Sequence, residues 1–383
     1  MFAYLFYIYS ILMSIKLGFF FEGASRYIPL RASIFLFIIS LFLILFHKGW
    51  RFSKHFLIFS TIYFAISILF LIIWTIQDSG NDSITSKFIL GFLFPYLIIF
   101  NLYVAYRLLN KNQLINSVKL YILSGTILIL IDTIIRLLFP DYAFKGDLSE
   151  FNAELARDSF YIFKYGSIMY LDSNYVALQL LVNFVLIFLF FNKKTRKILL
   201  CITALLILFT FSRSAYIGLL FIFFIEFYQR KRSSYKLIII TLILITTLFS
   251  ISLLFNYQIQ SNDISFNSKL EILDSLKNID SHPLLTTLFG IGFEIGGYLY
   301  SFRDGAYAHA FIPLVLGEVG ILGLILYLLI LLYLIKTSPT HFSAIILVMF
   351  ICGMSLIDPW DSIYIYSLCF IFLFYKKSDK CIN

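Results

Sequence analysis

The sequence predicts an all-α, polytopic membrane protein, and its composition carries that prediction. Hydrophobic residues make up 61% of the 383 residues and charged residues only 13%, and the mean hydropathy is +0.91. Because a soluble domain is roughly half apolar and a quarter charged, this chain has too few polar side chains to cover a surface in water. We therefore expect lipid to surround much of it, which excludes a soluble enzyme and a nucleic-acid-binding domain.

Apolar runs with the length of a membrane-spanning helix, about 17 to 25 residues, recur along the chain. About twelve are predicted, near 2–21, 32–47, 56–76, 88–107, 118–139, 174–191, 197–212, 214–229, 237–255, 307–335, 342–357 and 362–375. They are apolar on every face, whereas β-barrel strands alternate in polarity, so the spans are predicted to be helices. The first lacks the basic start and the cleavage site of a secretory signal and is expected to be retained.

Alternate connections between the predicted spans differ in charge. One set carries most of the lysine and arginine, with very few acids, at 48–54, 107–119, 193–197, 230–236, Lys336 and 376–380. The positive-inside rule makes this set cytoplasmic, together with both termini. Two long loops, about 140–173 and 256–306, then face the outside. We expect the whole chain, 1–383, to form one integral membrane domain whose chemistry takes place at the outer leaflet.

Arg213 lies in a very short connection, 211–215, between two predicted spans, which places it at the outer interface. One interpretation is an arginine that extends to lipid headgroup phosphates. The other is a guanidinium that points into a cavity and holds an anionic headgroup through two parallel hydrogen bonds. The spacing alone favours neither.

His309 is predicted to lie at the outer entry of the helix that begins near residue 307. Its imidazole could act as an acid, a base or a phosphate donor, although a histidine at an interface is commonly a hydrogen-bonded rim residue. Glu318 follows nine positions later, about 13.5 Å along an ideal helix and on nearly the opposite side. The two are therefore not evident partners, and Glu318 is interpreted as a structural acid between helices.

Asp172 and Asn174 open another predicted span on the outer side, where both residue types serve well as helix caps. Asp132 and Arg136 are four residues apart, so they share a helical face and are expected to form a structural pair. Asp361, near the start of the last span, is a candidate base if its side chain reaches the cavity.

The second long loop contains a predicted amphipathic helix between Asn267 and Pro283, which is expected to lie on the membrane. The outer side is also rich in tyrosine. The default explanation is an interfacial aromatic belt, and the sharper alternative is stacking against sugars, for the set Tyr161, Tyr165, Tyr170, Tyr298, Tyr300 and Tyr307.

Four short motifs, in this order over roughly residues 170–335, resemble the O-antigen polymerase and O-antigen ligase superfamily, of the Wzy and WaaL type. They are Asp172-Ser173-Asn174; Ser212-Arg213-Ser214-Ala215 with Gly218; His282-Pro283 with Gly290-Ile291-Gly292; and His309 followed by Leu316-Gly317-Glu318-Val319-Gly320 and Gly323. The chain departs from the family where an arginine often opens the loop helix, because Lys269 stands there and lysine is not a bidentate phosphate ligand.

The resemblance implies a metal-independent, GT-C-like glycosyltransferase without a cofactor, in the bacterial cytoplasmic (inner) membrane. Its donor and acceptor would be undecaprenyl-pyrophosphate-linked oligosaccharides, and a chain-length regulator and a flippase would be partners. Arg213 and Arg303 would clamp the pyrophosphate. His309 would be a base for the acceptor hydroxyl or a further phosphate donor, two roles that stay open. The remaining predicted substrate contacts are Asp172, Asn174, Lys269 and Tyr307.

Polymerisation of repeat units is the favoured activity, and two alternatives are kept. The nearer is the ligase reaction, which moves a finished glycan onto lipid A core by the same donor chemistry. The other is a lipid-linked oligosaccharide flippase, for which polar groups near the bilayer midplane between repeated halves are expected. The predicted polar groups here instead concentrate on one side, and no internal repeat is evident.

Overall fold

The structure is a computed structural model, and it describes residues 1–17, 27–46, 50–77, 89–140, 160–164, 166–170, 173–230, 271, 274–293, 295–301, 307–308, 310–337 and 359–379. Every regular element in these ranges is helical, which confirms the all-α class. The α-helices are α1 (Phe2–Ser14), α2 (Tyr27–Phe46), α3 (Lys54–Gln77), α4 (Phe94–Leu108), α5 (Lys111–Leu138), α6 (Ser173–Phe190), α7 (Lys193–Leu208), α8 (Arg213–Arg230), α9 (Leu284–Phe289), α10 (Phe311–Thr337) and α11 (Ser362–Asp379).

Among the described residues, 6 helices are long and apolar enough to cross a membrane. These segments are Ile28–Phe46, Lys54–Gln77, Gly91–Leu108, Lys111–Leu138, Ser173–Phe190 and Phe311–Lys336. Phe2–Ser14, Arg213–Phe224 and Ser362–Phe374 are shorter apolar helices. Two predicted spans, 237–255 and 342–357, lie outside the described residues, and each of the others overlaps a helix. The number of membrane crossings stays a prediction.

Helix α6 lies in the centre of the bundle. Every side chain from Val176 to Ile187 is buried, and α5, α7, α8 and α11 pack around it. A helix that is apolar on every face can be covered by other helices or can present its side chains to lipid. Helix α3 illustrates the second case, since its exposed surface is made of large apolar residues, including Leu57, Ile58, Ile62, Ile72 and Ile76.

Basic connections meet at one end of the bundle, which we call the basic end. Three cation–aromatic contacts join them there: Arg107 with Trp50 at 5.6 Å, Lys111 with Phe374 at 5.6 Å and Lys119 with Phe191 at 5.7 Å. The described basic connections thus group as the alternation of charge predicts. That this end faces the cytoplasm stays a prediction.

Two buried ion pairs lie at the other end, which we call the motif end because the segments before α6, α8, α10 and α11 lie on that side of the bundle. Arg136 Nε donates to Asp132 Oδ2 at 2.9 Å, and neither side chain is exposed. Lys16 Nζ donates to Asp361 Oδ1 at 2.8 Å and to Ser362 Oγ at 2.6 Å. Because a buried charge requires a partner, these pairs are structural. The predicted pairing of Asp132 with Arg136 is confirmed.

Two elements differ from the sequence-based expectation. The described part of the predicted amphipathic helix contains a 3₁₀ helix, Ser275–Ser281, followed by the short α9. His282 is extended, with φ −90° and ψ 153°, because a residue before proline disfavours the helical conformation. The predicted single helix 307–335 is α10, which is interrupted at Gly320 by a backbone conformation of φ 65° and ψ −172°.

Candidate functional site

The structure describes three of the predicted site residues, Arg213, Asn174 and Tyr307. The other four, His309, Arg303, Asp172 and Lys269, lie outside the described residues. The described elements next to these positions lie at the motif end, and they define the candidate site.

Arg213 is the first residue of α8, and its side chain is exposed. A sharp turn precedes it, in which Phe211 takes the positive φ of 53°. Ser212 Oγ and Ser214 Oγ lie 3.1 Å apart on either side of it. The first N–H groups of a helix and its dipole favour a negative charge, and the guanidinium adds a full positive charge at the same place. This arrangement suits an anion such as a phosphate.

Asn174 lies in the first turn of α6, beside the turn that carries Arg213. Ser173 Oγ donates to the carbonyl of Thr210 at 2.8 Å, and Ser173 N donates to the carbonyl of Lys164 at 3.0 Å. The first bond fastens the start of α6 to the segment before α8, and the second fastens it to the segment that precedes α6. The structure thus brings the described residues of two predicted motifs, at 173–174 and 212–215, onto neighbouring helix starts.

Arg136 binds the backbone of the turn that precedes Arg213. Its Nη1 donates to the carbonyl of Phe163 at 2.8 Å and to the carbonyl of Phe209 at 3.3 Å. On the other side of the ion pair, Asp132 Oδ1 accepts from Ser167 Oγ at 2.7 Å and from Ile168 N at 2.8 Å. The pair therefore joins α5, the segment before α6 and the end of α7. The four-residue spacing of Asp132 and Arg136 predicts the ion pair. It does not predict that Arg136 also binds the carbonyls of Phe163 and Phe209.

The glycine-rich segment that contains Gly290 packs directly on the backbone of α10. Ile291 N donates to the carbonyl of Gly317 at 2.9 Å, and Gly292 N donates to the carbonyl of Glu318 at 3.0 Å. Two residues later the break at Gly320 interrupts the ladder, so these carbonyls take donors from another segment. A Cβ at Gly290 would lie 2.4 Å from the carbonyl carbon of Glu318. This close approach explains the glycine.

Tyr307 and Ala308, which directly precede His309 in the chain, lie against the same backbone. Ala308 N donates to the carbonyl of Gly297 at 2.6 Å, and the Tyr307 ring covers Gly297, where a Cβ would lie 2.2 Å from the ring. Tyr307 OH donates to Glu318 Oε1 at 3.5 Å. The segment that leads to His309 is therefore fixed from two directions.

Glu318 is almost fully buried, with 3% of its surface exposed. Trp360 Nε1 donates to its Oε2 at 2.6 Å. Sequence reasoning correctly interpreted Glu318 as an acid between helices but missed both partners, since Trp360 is distant in the chain. The sequence does show an acid within the apolar and glycine-rich stretch of α10, and such an acid indicates that a polar partner is near.

Asp361 does not have the geometry expected of a base. Its Oδ1 accepts from Lys16 Nζ at 2.8 Å and from the backbone N–H of Ile363 at 2.8 Å. A buried cation and the first turn of α11 therefore occupy the carboxylate. The candidate is corrected to an anchor between α1 and α11.

Two of the outer tyrosines are also corrected. Tyr170 is 8% exposed and Tyr300 is 1% exposed, so neither contributes a ring to an interfacial belt or to a sugar-binding surface. Burial raises the pKa of Tyr300 above its usual value, which keeps the hydroxyl neutral. Its backbone carbonyl accepts from Ser275 Oγ at 2.9 Å. Tyr298 remains half exposed.

The described ranges contain no group of three or more His, Cys, Asp and Glu side chains that could hold a metal ion. The described site residues form two groups at the motif end: a helix start with an exposed guanidinium and a neighbouring amide, and a buried acid bonded to Tyr307 and Trp360. The first group can bind and orient an anionic group at the end of an apolar bundle.

Comparison with known families bears on this arrangement. Residues 198–328 match the Wzy_C family model, described as O-antigen ligase. The match confirms the resemblance to the Wzy and WaaL superfamily, and it covers Arg213, Tyr307 and Glu318 but begins after Asn174. Members of the family are membrane glycosyltransferases or ligases. The match does not distinguish polymerase from ligase activity. No curated protein matched the chain.

Proposed function

We propose that this protein is a surface polysaccharide polymerase. It joins undecaprenyl-pyrophosphate-linked oligosaccharide repeat units at the outer face of the bacterial cytoplasmic (inner) membrane. The observation that carries the proposal is the position of Arg213, an exposed guanidinium at the start of an apolar helix, within the segment that matches the family model. Both the donor and the acceptor are lipid-linked glycans, and a flippase and a chain-length regulator are its partners.

The reaction needs positioning and charge stabilisation more than acid catalysis. A hydroxyl of the acceptor sugar attacks the anomeric carbon of the donor, and the bond from that carbon to the pyrophosphate oxygen breaks. The electron pair leaves with the pyrophosphate, which is a weak base and departs without a proton. Arg213 and the first N–H groups of α8 stabilise the charge that grows on it. The hydroxyl proton passes to His309 acting as base.

The remaining predicted contacts complete the substrate path. Arg303 shares the pyrophosphate with Arg213, and Lys269 adds a single positive charge to the same anion. Asn174, beside the start of α8, and Asp172 exchange hydrogen bonds with sugar hydroxyls, and Tyr307 offers a ring face for stacking. If His309 is instead a second phosphate donor, a hydroxyl proton would leave through water.

The test uses purified protein in nanodiscs with lipid-linked repeat units as the only substrate. Arg213→Ala is expected to lower the rate of chain extension at least 100-fold, because one well-placed donor to a developing charge is worth about 10²–10³ in kcat. Arg213→Lys should recover little, since lysine lacks the bidentate fork.

The matched control is Arg51→Ala, which removes an exposed arginine at the basic end. It is expected to extend chains at the unmodified rate. Normal polymer length in Arg213→Ala would contradict the clamp. If the unmodified protein moves lipid-linked repeat units across vesicles without joining them, it is a transporter and the proposal fails.

The ligase reaction is the second candidate, because the matching family model is described as O-antigen ligase. The donor chemistry is the same, and only the acceptor differs. Supplying lipid A core together with repeat units separates the two activities in vitro. In cells, loss of a polymerase leaves surface lipid with single repeat units, whereas loss of a ligase leaves none.

A further inference from the structure

The buried carboxylate of Glu318 joins separate parts of the motif end. Its side chain receives hydrogen bonds from Trp360 Nε1 at 2.6 Å and from Tyr307 OH at 3.5 Å. Its backbone carbonyl accepts from Gly292 N at 3.0 Å. One residue of α10 thus contacts the segment before α11, the segment that leads to His309 and the glycine-rich segment.

Trp360 is itself held tightly, so it is a fixed donor. Its ring makes edge contacts with Phe293 at 5.1 Å and with Tyr327 at 5.1 Å. Tyr327 OH donates to the carbonyl of Pro359, next to Trp360, at 3.4 Å. The indole is therefore fixed by packing on both sides and sets the position of the carboxylate.

We propose that Glu318 is a positioning residue for the transfer reaction. Held by Trp360, it fixes Tyr307, and through Tyr307 the chain that enters His309. The inference rests on the proposed function and deepens it, since Glu318 acts through its neighbours. A direct role in proton transfer would need a carboxylate open to the substrate, whereas this one is buried and occupied by an indole N–H.

The glycine contacts make the arrangement rigid. A Cβ at Gly296 would lie 2.3 Å from the carbonyl oxygen of Gly317, and Gly297 lies directly under the Tyr307 ring. Ala308 N is bonded to the Gly297 carbonyl at 2.6 Å. The segment before His309 therefore lies between Gly297 and the Glu318 side chain, and loss of the carboxylate removes one of these two supports.

Three variants separate positioning from catalysis and from folding. Glu318→Gln keeps an oxygen that accepts from the indole, Glu318→Leu removes the acceptor at similar volume, and Trp360→Phe removes the donor while keeping an aromatic ring, although a smaller one. We expect Glu318→Gln to keep kcat within about threefold, and the other two to lower kcat on the order of 10- to 100-fold with a nearly unchanged KM for the donor. The Glu318→Leu and Trp360→Phe effects should not multiply when combined, because both remove the same contact.

Hydrogen–deuterium exchange of the Ala308 amide gives a readout that does not depend on turnover. Trp360→Phe and Glu318→Leu should speed its exchange at least tenfold, whereas Glu318→Gln should not. Equal inactivity of Glu318→Gln and Glu318→Leu would overturn the proposal by making the charge itself catalytic. Full activity of Glu318→Leu would also overturn it, as would an unchanged exchange rate of the Ala308 amide in Trp360→Phe and Glu318→Leu.

The failure of the proposed function is distinguishable from the failure of this inference. If Arg213→Ala retains full transfer, the pyrophosphate clamp is wrong, while the exchange measurement still decides whether Glu318 holds the segment. If Glu318→Leu does not fold, Trp360→Phe, which leaves α10 unchanged, supplies both the kinetic and the exchange result.

Discussion

A single buried guanidinium holds three segments of this protein together. Arg136 bonds Asp132 at 2.9 Å and also donates to the carbonyls of Phe163 and Phe209. Replacing a buried ion pair as a whole costs little, but removing one partner leaves an unpaired charge in a low dielectric. Since Phe209 lies in the turn before Arg213, this pair also sets the start of α8. Its contribution is therefore conformational as well as energetic.

Arg136→Met is expected to lower the free energy of unfolding by about 3–5 kcal/mol, because it leaves Asp132 buried and charged. Adding Asp132→Asn should recover part of that loss, since the amide is neutral and still accepts from Ile168 N. Thermal unfolding in detergent measures both. Lys277→Met, which breaks the exposed pair with Asp274, is the control and should barely shift the transition. An Arg136→Met protein as stable as the unmodified one would show that the pair is not buried.

At the scale of elements, the interrupted helix α10 determines the architecture of the motif end. An unbroken helix would keep the carbonyls of Gly317 and Glu318 within its own ladder. The break at Gly320 lets the glycine-rich segment bond to them, which is the kind of protein-covered irregular backbone that membrane proteins tolerate. The sequence predicts a helix here and shows its glycines. It does not predict the break, because the partner backbone of Leu288 is remote in the chain.

Gly320→Ala and Gly166→Ala form a matched pair, because both glycines have a positive φ, of 65° and 79°. A Cβ at Gly166 meets nothing within 4 Å, whereas a Cβ at Gly320 would lie 2.3 Å from the carbonyl of Leu288. Gly166→Ala should cost only the backbone strain, about 1–2 kcal/mol. Gly320→Ala should cost roughly 1–3 kcal/mol more and should reduce transfer activity, because its Cβ overpacks and because φ 65° with ψ −172° is a region almost restricted to glycine. Equal losses in unfolding temperature would contradict the close packing.

At the scale of the whole molecule, the apolar runs predict the helices well because burial in lipid or protein selects the same residues. The charge alternation likewise groups the described basic connections, as the contact of Arg107 with Trp50 illustrates. The candidate site is less predictable. Arg213 and Asn174 follow from their places at helix starts, but the pairing of Glu318 with Trp360, and of Lys16 with Asp361, depends on tertiary contacts between distant segments. Local patterns carry no information on such contacts.

Sidedness is the property of the whole molecule on which the outer site depends, and cysteine labelling tests it directly. In a background lacking the four native cysteines, Tyr298→Cys places a thiol at a half-exposed position of the motif end, and Asn112→Cys places one at an exposed position of the basic end. A membrane-impermeant maleimide added to spheroplasts is expected to label Tyr298→Cys at once. Asn112→Cys should react only after permeabilisation, because the basic end is the cytoplasmic one under the positive-inside rule. The reverse pattern would put Arg213 in the cytoplasm, out of reach of a donor at the outer leaflet, and would refute the polymerase mechanism even if Arg213 were essential.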